Sequence, residues 1–192
     1  MCEPLINMFH LPADIEVHQQ IADILAESFA DDQTMIKLLG QEKWHRIINK
    51  YFILQMEHAS LAITAEIDSN PVGVLLAREP TASLTGWRAA LHVVRIARLL
   101  GSDYSASQEL AYSVACGIPP FPHWYINQLA VKPGLQSRGI GLALVENLIE
   151  IASREQIYVD CESSLAGFYK TAGFCSVEEI EDSGMVVMGI NE

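Results

Sequence analysis

The sequence predicts an α/β domain built on a mixed sheet, and three observations carry that expectation. Amphipathic helical segments come first, a β-hairpin follows, and the last third alternates strand, helix, strand, helix, strand, strand. With 192 residues, half of them hydrophobic and 19% charged, the chain suits one folded domain spanning 1–192.

Residues 14–29 place Ile15, Ile21, Ile24, Leu25 and Phe29 near helical spacing behind Pro12, an ordinary helix starter. Residues 44–56 repeat the pattern with Trp44, Ile47, Ile48, Tyr51 and Phe52. Residues 61–67 and 72–77 read as two strands of a hairpin, with the turn at 68–71. Residues 84–100 and 103–116 are helical, and three prolines within 117–122 break the pattern. Residues 124–131 form an apolar strand, Pro133-Gly134 a turn, and 139–152 a helix with Ile140, Leu144, Val145, Leu148 and Ile151 on one face. A short strand at 157–159 precedes a short helix at 164–171 that Gly173 stops. Strands at 174–180 and 185–190 join through Ser183-Gly184.

The formal charge of −12 and pI near 4.8 argue against nucleic-acid binding, which needs a basic surface. Acidity serves solubility, and it also sets up a field that attracts cationic partners such as amines. No apolar run approaches ~18 residues, so no membrane span is expected. The start, Met1 to Asn7, lacks a basic stretch followed by an apolar one, so the expected location is the cytoplasm. Cys2, Cys116, Cys161 and Cys175 show no paired or metal-ligand spacing and read as reduced, buried thiols; no metal is expected.

The densest signal lies between Leu129 and Gly141. A buried strand ends at Val131, a turn follows, and Gln136-Ser137-Arg138-Gly139-Ile140-Gly141 opens directly into a helix. A helix N-terminus leaves backbone N–H groups unpaired and carries partial positive charge, so it is ready to bind an anion. Gly139 and Gly141 have no Cβ to hold a diphosphate away, and Arg138 adds a permanent cation. Alone, this is also what an ordinary strand–turn–helix joint looks like. It is neither a P-loop nor a Rossmann fingerprint.

A second segment, Gly167-Phe168-Tyr169-Lys170-Thr171-Ala172-Gly173-Phe174, narrows the choice. It resembles the F-Y-x-x-x-G-F signature of the GNAT (Gcn5-related N-acetyltransferase) superfamily. The Gln136 loop resembles that family's Q/R-x-x-G-x-G/A loop, and Leu129-Ala130-Val131 with Pro133 its preceding strand. The three elements stand in the family's order and spacing over 123–174. His123-Trp124-Tyr125 ahead of the strand is similar to the branch containing puromycin N-acetyltransferase.

The resemblance implies a GNAT-like fold: a mixed, mostly antiparallel central sheet with flanking helices, and residues 80–122 as a helical insertion between the third and fourth strands. It implies acetyl-CoA as co-substrate, no metal, and transfer of the acetyl group to a primary amine of a small molecule or peptide by direct attack in a ternary complex. The coenzyme would lie on Leu129, Ala130 and Val131, with backbone groups of Leu129 and Val131 binding the pantetheine arm. Its diphosphate would lie on the amides of Gln136, Ser137, Arg138, Gly139, Ile140 and Gly141. Tyr169 would stand near the coenzyme sulfur. A phenol near pKa 10 is a poor proton donor to a thiolate near 8.5, so stabilising the departing thiolate by a hydrogen bond is the role the chemistry favours. A homodimer is compatible with this reading.

The acceptor side departs from the family. Glu162 stands where many relatives have asparagine and Leu165 where alanine is common, while Asn127 and Gln128 stand where several place a glutamate. A protonated amine needs a base, and His123, Glu79 and Glu162 are the candidates, with His123 placed at a strand mouth. An acyl-CoA-binding regulatory module without catalysis is the alternative these departures leave open. In the insertion, Arg88, His92 and Arg95 share one helix face, and Leu84, Trp87, Leu91 and Val94 the other, expected to be core. The basic face reads as solvated, or else as a wall over the coenzyme, a site for an acidic acceptor or a partner surface.

Overall fold

A computed structural model describes residues 4–11, 15–153, 155–180 and 183–190. Cys2, the helix starter Pro12, Asp14, and the acidic residues Glu181, Asp182 and Glu192 lie outside the described residues.

The chain runs β1 (Leu5–His10), α1 (Ile15–Ser28), α2 (Gln33–Leu39), α3 (Gln41–Gln55), β2 (Leu61–Ile67), β3 (Asn70–Arg78), α4 (Gly86–Leu100), α5 (Tyr104–Gly117) and β4 (Trp124–Val131). It continues through α6 (Ile140–Ala152), β5 (Ile157–Glu162), α7 (Ala166–Thr171), β6 (Cys175–Ile180) and β7 (Met185–Ile190). The seven strands form one sheet in the order β1-β2-β3-β4-β5-β7-β6, antiparallel except for β4 beside β5. The helical segment between the hairpin and β4 does fall between the third and fourth strands, because β1 supplies a strand that periodicity does not reveal.

Period-two alternation along β2 divides the core between the two faces. Leu61, Ile63 and Ala65 pack with Leu144, Val145 and Leu148 of α6, while Ala62 packs with α1 and α3 residues such as Ile21, Trp44 and Phe52. The hairpin turn is tighter than the 68–71 expected. Asp68 and Ser69 both have positive φ (51° and 61°) and Ile67 already pairs with Asn70, the geometry of a two-residue turn matched to strand twist.

The insertion helix α4 lies the other way up from the expectation. Its buried residues are His92, Ile96 and Leu100, while Trp87 is 75% exposed and Leu91 and Val94 are exposed with it. The short turn that follows α3, residues 56–58, supplies the reason. Glu57 binds Arg95 and accepts a hydrogen bond from His92 Nδ1 at 3.0 Å, and the Nε2 atoms of His58 and His92 lie 2.9 Å apart. Polar partners in the short turn at 56–58 thus bury His92 and hold Arg95, two of the three members of the expected basic stripe. The thiols also correct the expectation: Cys161 is buried, but Cys116 and Cys175 are exposed, on α5 and on the edge strand β6.

Candidate active site

Strands β4 and β5 pair for only three residues, Trp124 with Ile157, Tyr125 with Tyr158 and Ile126 with Val159, and then part. On its other edge β4 carries a bulge: Leu76 pairs with Gln128 and Ala77 with Ile126, so Asn127 is the extra residue. Lys132 N–H reaches Val72 O on β3 at 2.8 Å. The two-residue period then turns the backbone of Ala130 toward β3 and the backbones of Leu129 and Val131 toward the open edge. Ala130 therefore offers the opening no main-chain group, and its methyl is in the α1–α3 core. The Val131 carbonyl accepts from Gln136 Nε2 and Ser28 Oγ, each at 3.2 Å, which ties the following loop and α1 to the strand end.

Beyond Val131 the loop places Gly134, Ser137 and Gly139 at positive φ. Gly139 (φ +82°) is the N-cap of α6, and no side chain caps that helix. The first helical hydrogen bond is Ala143 N–H to Gly139 O at 2.9 Å, so the amides of Ile140, Gly141 and Leu142 point out of the helix end. Ser137, Arg138 and Gly139 are exposed beside them. The two glycines differ in kind. A Cβ at Gly139 would meet no atom within 4 Å, and the backbone conformation is what demands glycine; at Gly141 a Cβ would touch Phe168 Cζ at 3.4 Å, an ordinary contact.

The parted strands open on a cavity of about 450 Å³. Asn127, Gln128 and Leu129 of β4 and Asp160, Cys161 and Glu162 of β5 form one side; Asp31, Asp32, Thr34 and Tyr51 form the other, with Tyr169 of α7 between. Four carboxylates line it, and among the described residues no Lys, Arg or His does. Asp32 Oδ1 caps α2 by accepting from Met35 N–H at 2.7 Å, and Glu162 Oε1 accepts from Thr34 Oγ1 at 3.0 Å. Burial, reinforced by Glu162, raises the Asp32 carboxyl above its ordinary pKa despite the capping bond. The Tyr125 hydroxyl donates to Asp160 Oδ1, and burial raises the Asp160 carboxyl while that bond opposes the shift. Among the described residues, Asn127 Oδ1 is buried without a protein partner, an orphan that a bound group would satisfy.

Tyr169, 5% exposed, packs edge-on against Phe168 and Phe174 at centroid distances of 5.0 and 5.6 Å. Burial raises its hydroxyl well above the ordinary tyrosine pKa, so it is a neutral donor at physiological pH. Burial likewise pushes the Cys161 thiol up to about 12. His123 stands apart from this cavity, at the paired end of β4. Its Nδ1 donates to Phe121 O at 2.7 Å, its ring lies 5.0 Å from that of Tyr158, and burial lowers its pKa. Sequence reading missed Asp31, Asp32, Tyr51, Tyr125 and Asp160. The one available signal was an aspartate embedded in the apolar run Ile157-Tyr158-Val159-Asp160-Cys161, whose strand extends to Glu162 rather than ending at Val159.

Comparison with known proteins agrees with this architecture. The model of the acetyltransferase (GNAT) family matches residues 104–174, which include both the α6 loop and Tyr169. A crystal structure described as histone acetyltransferase HPA2 and related acetyltransferase, from Corynebacterium glutamicum, superposes with a TM-score of 0.73 at 25% identity, covering 99% of this chain and 97% of that one. The PaiA N-acetyltransferase of Thermoplasma acidophilum, solved with coenzyme A, superposes with a TM-score of 0.54 at 16% identity, over 98% and 99% of the two chains. An acyl-CoA N-acyltransferase from Pseudomonas aeruginosa gives 0.58 at 13%, over 97% and 99%. Residues 104–174 thus match the GNAT acetyltransferase family, and the whole chain shares the fold of these acetyltransferase structures. These matches do not single out a branch within the family.

Among the described residues, no helix is long and apolar enough to cross a membrane, and no group of three or more His, Cys, Asp or Glu is placed to hold a metal ion.

Proposed function

We propose that the protein is an N-acyltransferase that moves an acetyl group from acetyl-CoA to the primary amine of a small molecule or peptide, by direct attack within a ternary complex. The observation that carries this reading is the cavity at the β4–β5 opening, which has four carboxylates and, among the described residues, no basic one in its lining. Such a lining favours a cationic acceptor over an anionic one.

The donor side fits a pantetheine diphosphate. The open edge of β4 at Leu129 and Val131 suits an extended amide-bearing arm, and the α6 amides with Arg138 suit phosphate oxygens. The orphaned Asn127 Oδ1 stands in the lining of the same opening. Tyr169, neutral and part of the cavity lining, is the donor that steadies charge developing on sulfur. The carboxylates absent from β4 are supplied by β5 and by the turn before α2, which favours catalysis over a module that binds acyl-CoA without turning it over.

The test is thiol release from acetyl-CoA with cationic, neutral and anionic primary amines presented in parallel, each product checked by mass. Acetylated products from the cationic set are expected. Preference for the anionic set would overturn the assignment of this cavity as the acceptor site. Unchanged amines, with coenzyme bound, would favour the non-catalytic module.

A further inference from the structure

Of the carboxylates around the cavity, Asp32 is spent on capping α2, Glu162 holds Thr34, and Asp31 is exposed at the rim. Asp160 differs. It is the first residue of β5 past the last pair with β4, and it borders both the 450 Å³ cavity and a second one of about 440 Å³ under α4 and α5. Its Oδ1 accepts from Tyr125, and among the described residues no side chain donates to its other oxygen. The geometry points to Asp160 as the group that takes the proton from the acceptor amine, with Tyr125 as the residue that positions it. This proposal rests on the acyl-transfer reading above.

The groups around Asp160 suit that task. Tyr51 from α3, Tyr125 from β4 and Tyr169 from α7 face it as neutral phenols, and burial or nearby negative charge raises the pKa of each. Cys161 and Glu162 follow it on β5, and Asp32 lies across the cavity. Leu110 of α5 and Met185 of β7 are apolar, and His58 and His92 border the second cavity. The guanidinium of Arg78 approaches through the face of the Tyr125 ring, 5.1 Å from its centroid. A carboxyl raised by burial is a better match to an ammonium than an ordinary aspartate, and the Tyr125 hydrogen bond favours its ionised form against that burial.

The acceptor enters as R–NH3⁺ and gives one proton to Asp160, becoming R–NH2. Its nitrogen lone pair forms the N–C bond at the thioester carbonyl, the C–S bond breaks, and the electron pair leaves on sulfur beside the Tyr169 hydroxyl. The second nitrogen proton passes to the thiolate, giving amide and free thiol. Asp160 returns its proton to solvent.

The experiment compares a pool of primary alkylamines, cationic at pH 7, with hydroxylamine, which is neutral there and needs no prior deprotonation. Asp160→Asn should lower the alkylamine rate by about 10²–10⁴-fold while the hydroxylamine rate stays within several-fold and coenzyme binding is retained. Asp160→Glu should recover part of the loss. Tyr125→Phe removes the donor that favours the ionised form, so the acid limb of the alkylamine pH profile should move to higher pH while the hydroxylamine profile stays put. Equal losses with both nucleophiles in folded Asp160→Asn, or in Tyr125→Phe if the first variant does not fold, would mark a structural role and overturn the proposal. An unchanged alkylamine rate would overturn it as well. A folded, coenzyme-binding wild type inert toward both nucleophiles would overturn the acyl-transfer reading itself.

Discussion

Ile126 on β4 and Val159 on β5 are the last residues those two strands pair, and the next residue on each, Asn127 and Asp160, faces the opening that results. Everything assigned to the site follows from that separation. The unpaired edge of β4 leads to the α6 N-terminus, the proposed donor side, and Asp160 and Glu162 line the proposed acceptor side.

Tyr169→Phe should lower turnover by about 10- to 1,000-fold and leave coenzyme affinity nearly intact. The ring packing against Phe168 and Phe174 survives the change, whereas the hydroxyl is proposed to act on charge that develops only as the C–S bond breaks. Steady-state kinetics beside a coenzyme titration checks it. Unchanged turnover would return Tyr169 to a packing role.

Gly139→Ala should destabilise the protein by about 1 kcal/mol or more, because φ of +82° suits few residues with a Cβ. Gly139→Asn should cost less, since asparagine tolerates the left-handed region better than alanine. Urea unfolding of the two variants gives the comparison; equal stabilities would mean that the loop relaxes out of this conformation.

His58 supplies a pH dependence. Burial, then the neighbouring His92, lowers its pKa to about 4 from 6.5. Between those values the unfolded chain binds a proton that the folded chain refuses. Its contribution is therefore fully present above about pH 6.5 and is lost as pH falls toward 4. The raised carboxyls Asp32 and Asp160 act in the opposite sense, so the comparison must be with a variant. The drop in melting temperature from pH 7 to pH 5 should be smaller in His58→Gln than in wild type. Parallel curves would assign the acid sensitivity elsewhere.

His123→Gln should change the turnover number by less than about threefold, since the ring faces Tyr158 and the Phe121 carbonyl outside the cavity lining. A loss of 100-fold or more would restore His123 as a base candidate and would require the acceptor to enter from the β4 start.

The donor side was more legible in the sequence than the acceptor side, for physical reasons. The proposed phosphate-binding loop is local: strand end, glycines and helix start are contiguous from Leu129 to Gly141, and periodicity exposes them. The acceptor wall is assembled from the turn before α2, from α3, β5 and α7, which only the tertiary fold brings together. The strand β1 escaped because it pairs on one edge alone and its Leu5-Ile6-Asn7-Met8-Phe9-His10 shows no clean alternation. The helix α2 has seven residues, too few to show a period, although Asp32 three residues before Met35 is the cap that starts it. The inverted α4 shows the limit of amphipathic reading. The spacing of apolar and basic residues separates two faces of the helix, but Glu57 and His58 decide which of them turns toward the domain.

The most direct test of the central claim, that acyl-CoA binds across the β4 edge and the α6 N-terminus, is a coenzyme A titration of wild type and Gly141→Glu by calorimetry and thermal unfolding. The wild type should bind and gain about 2.7 kcal/mol of stability at a ligand concentration 100 times the dissociation constant. The variant should fold, because a Cβ there makes only an ordinary contact with Phe168, and should not bind, because a carboxylate would occupy the diphosphate position. No binding by folded wild type, or undiminished affinity in the variant, would contradict the account.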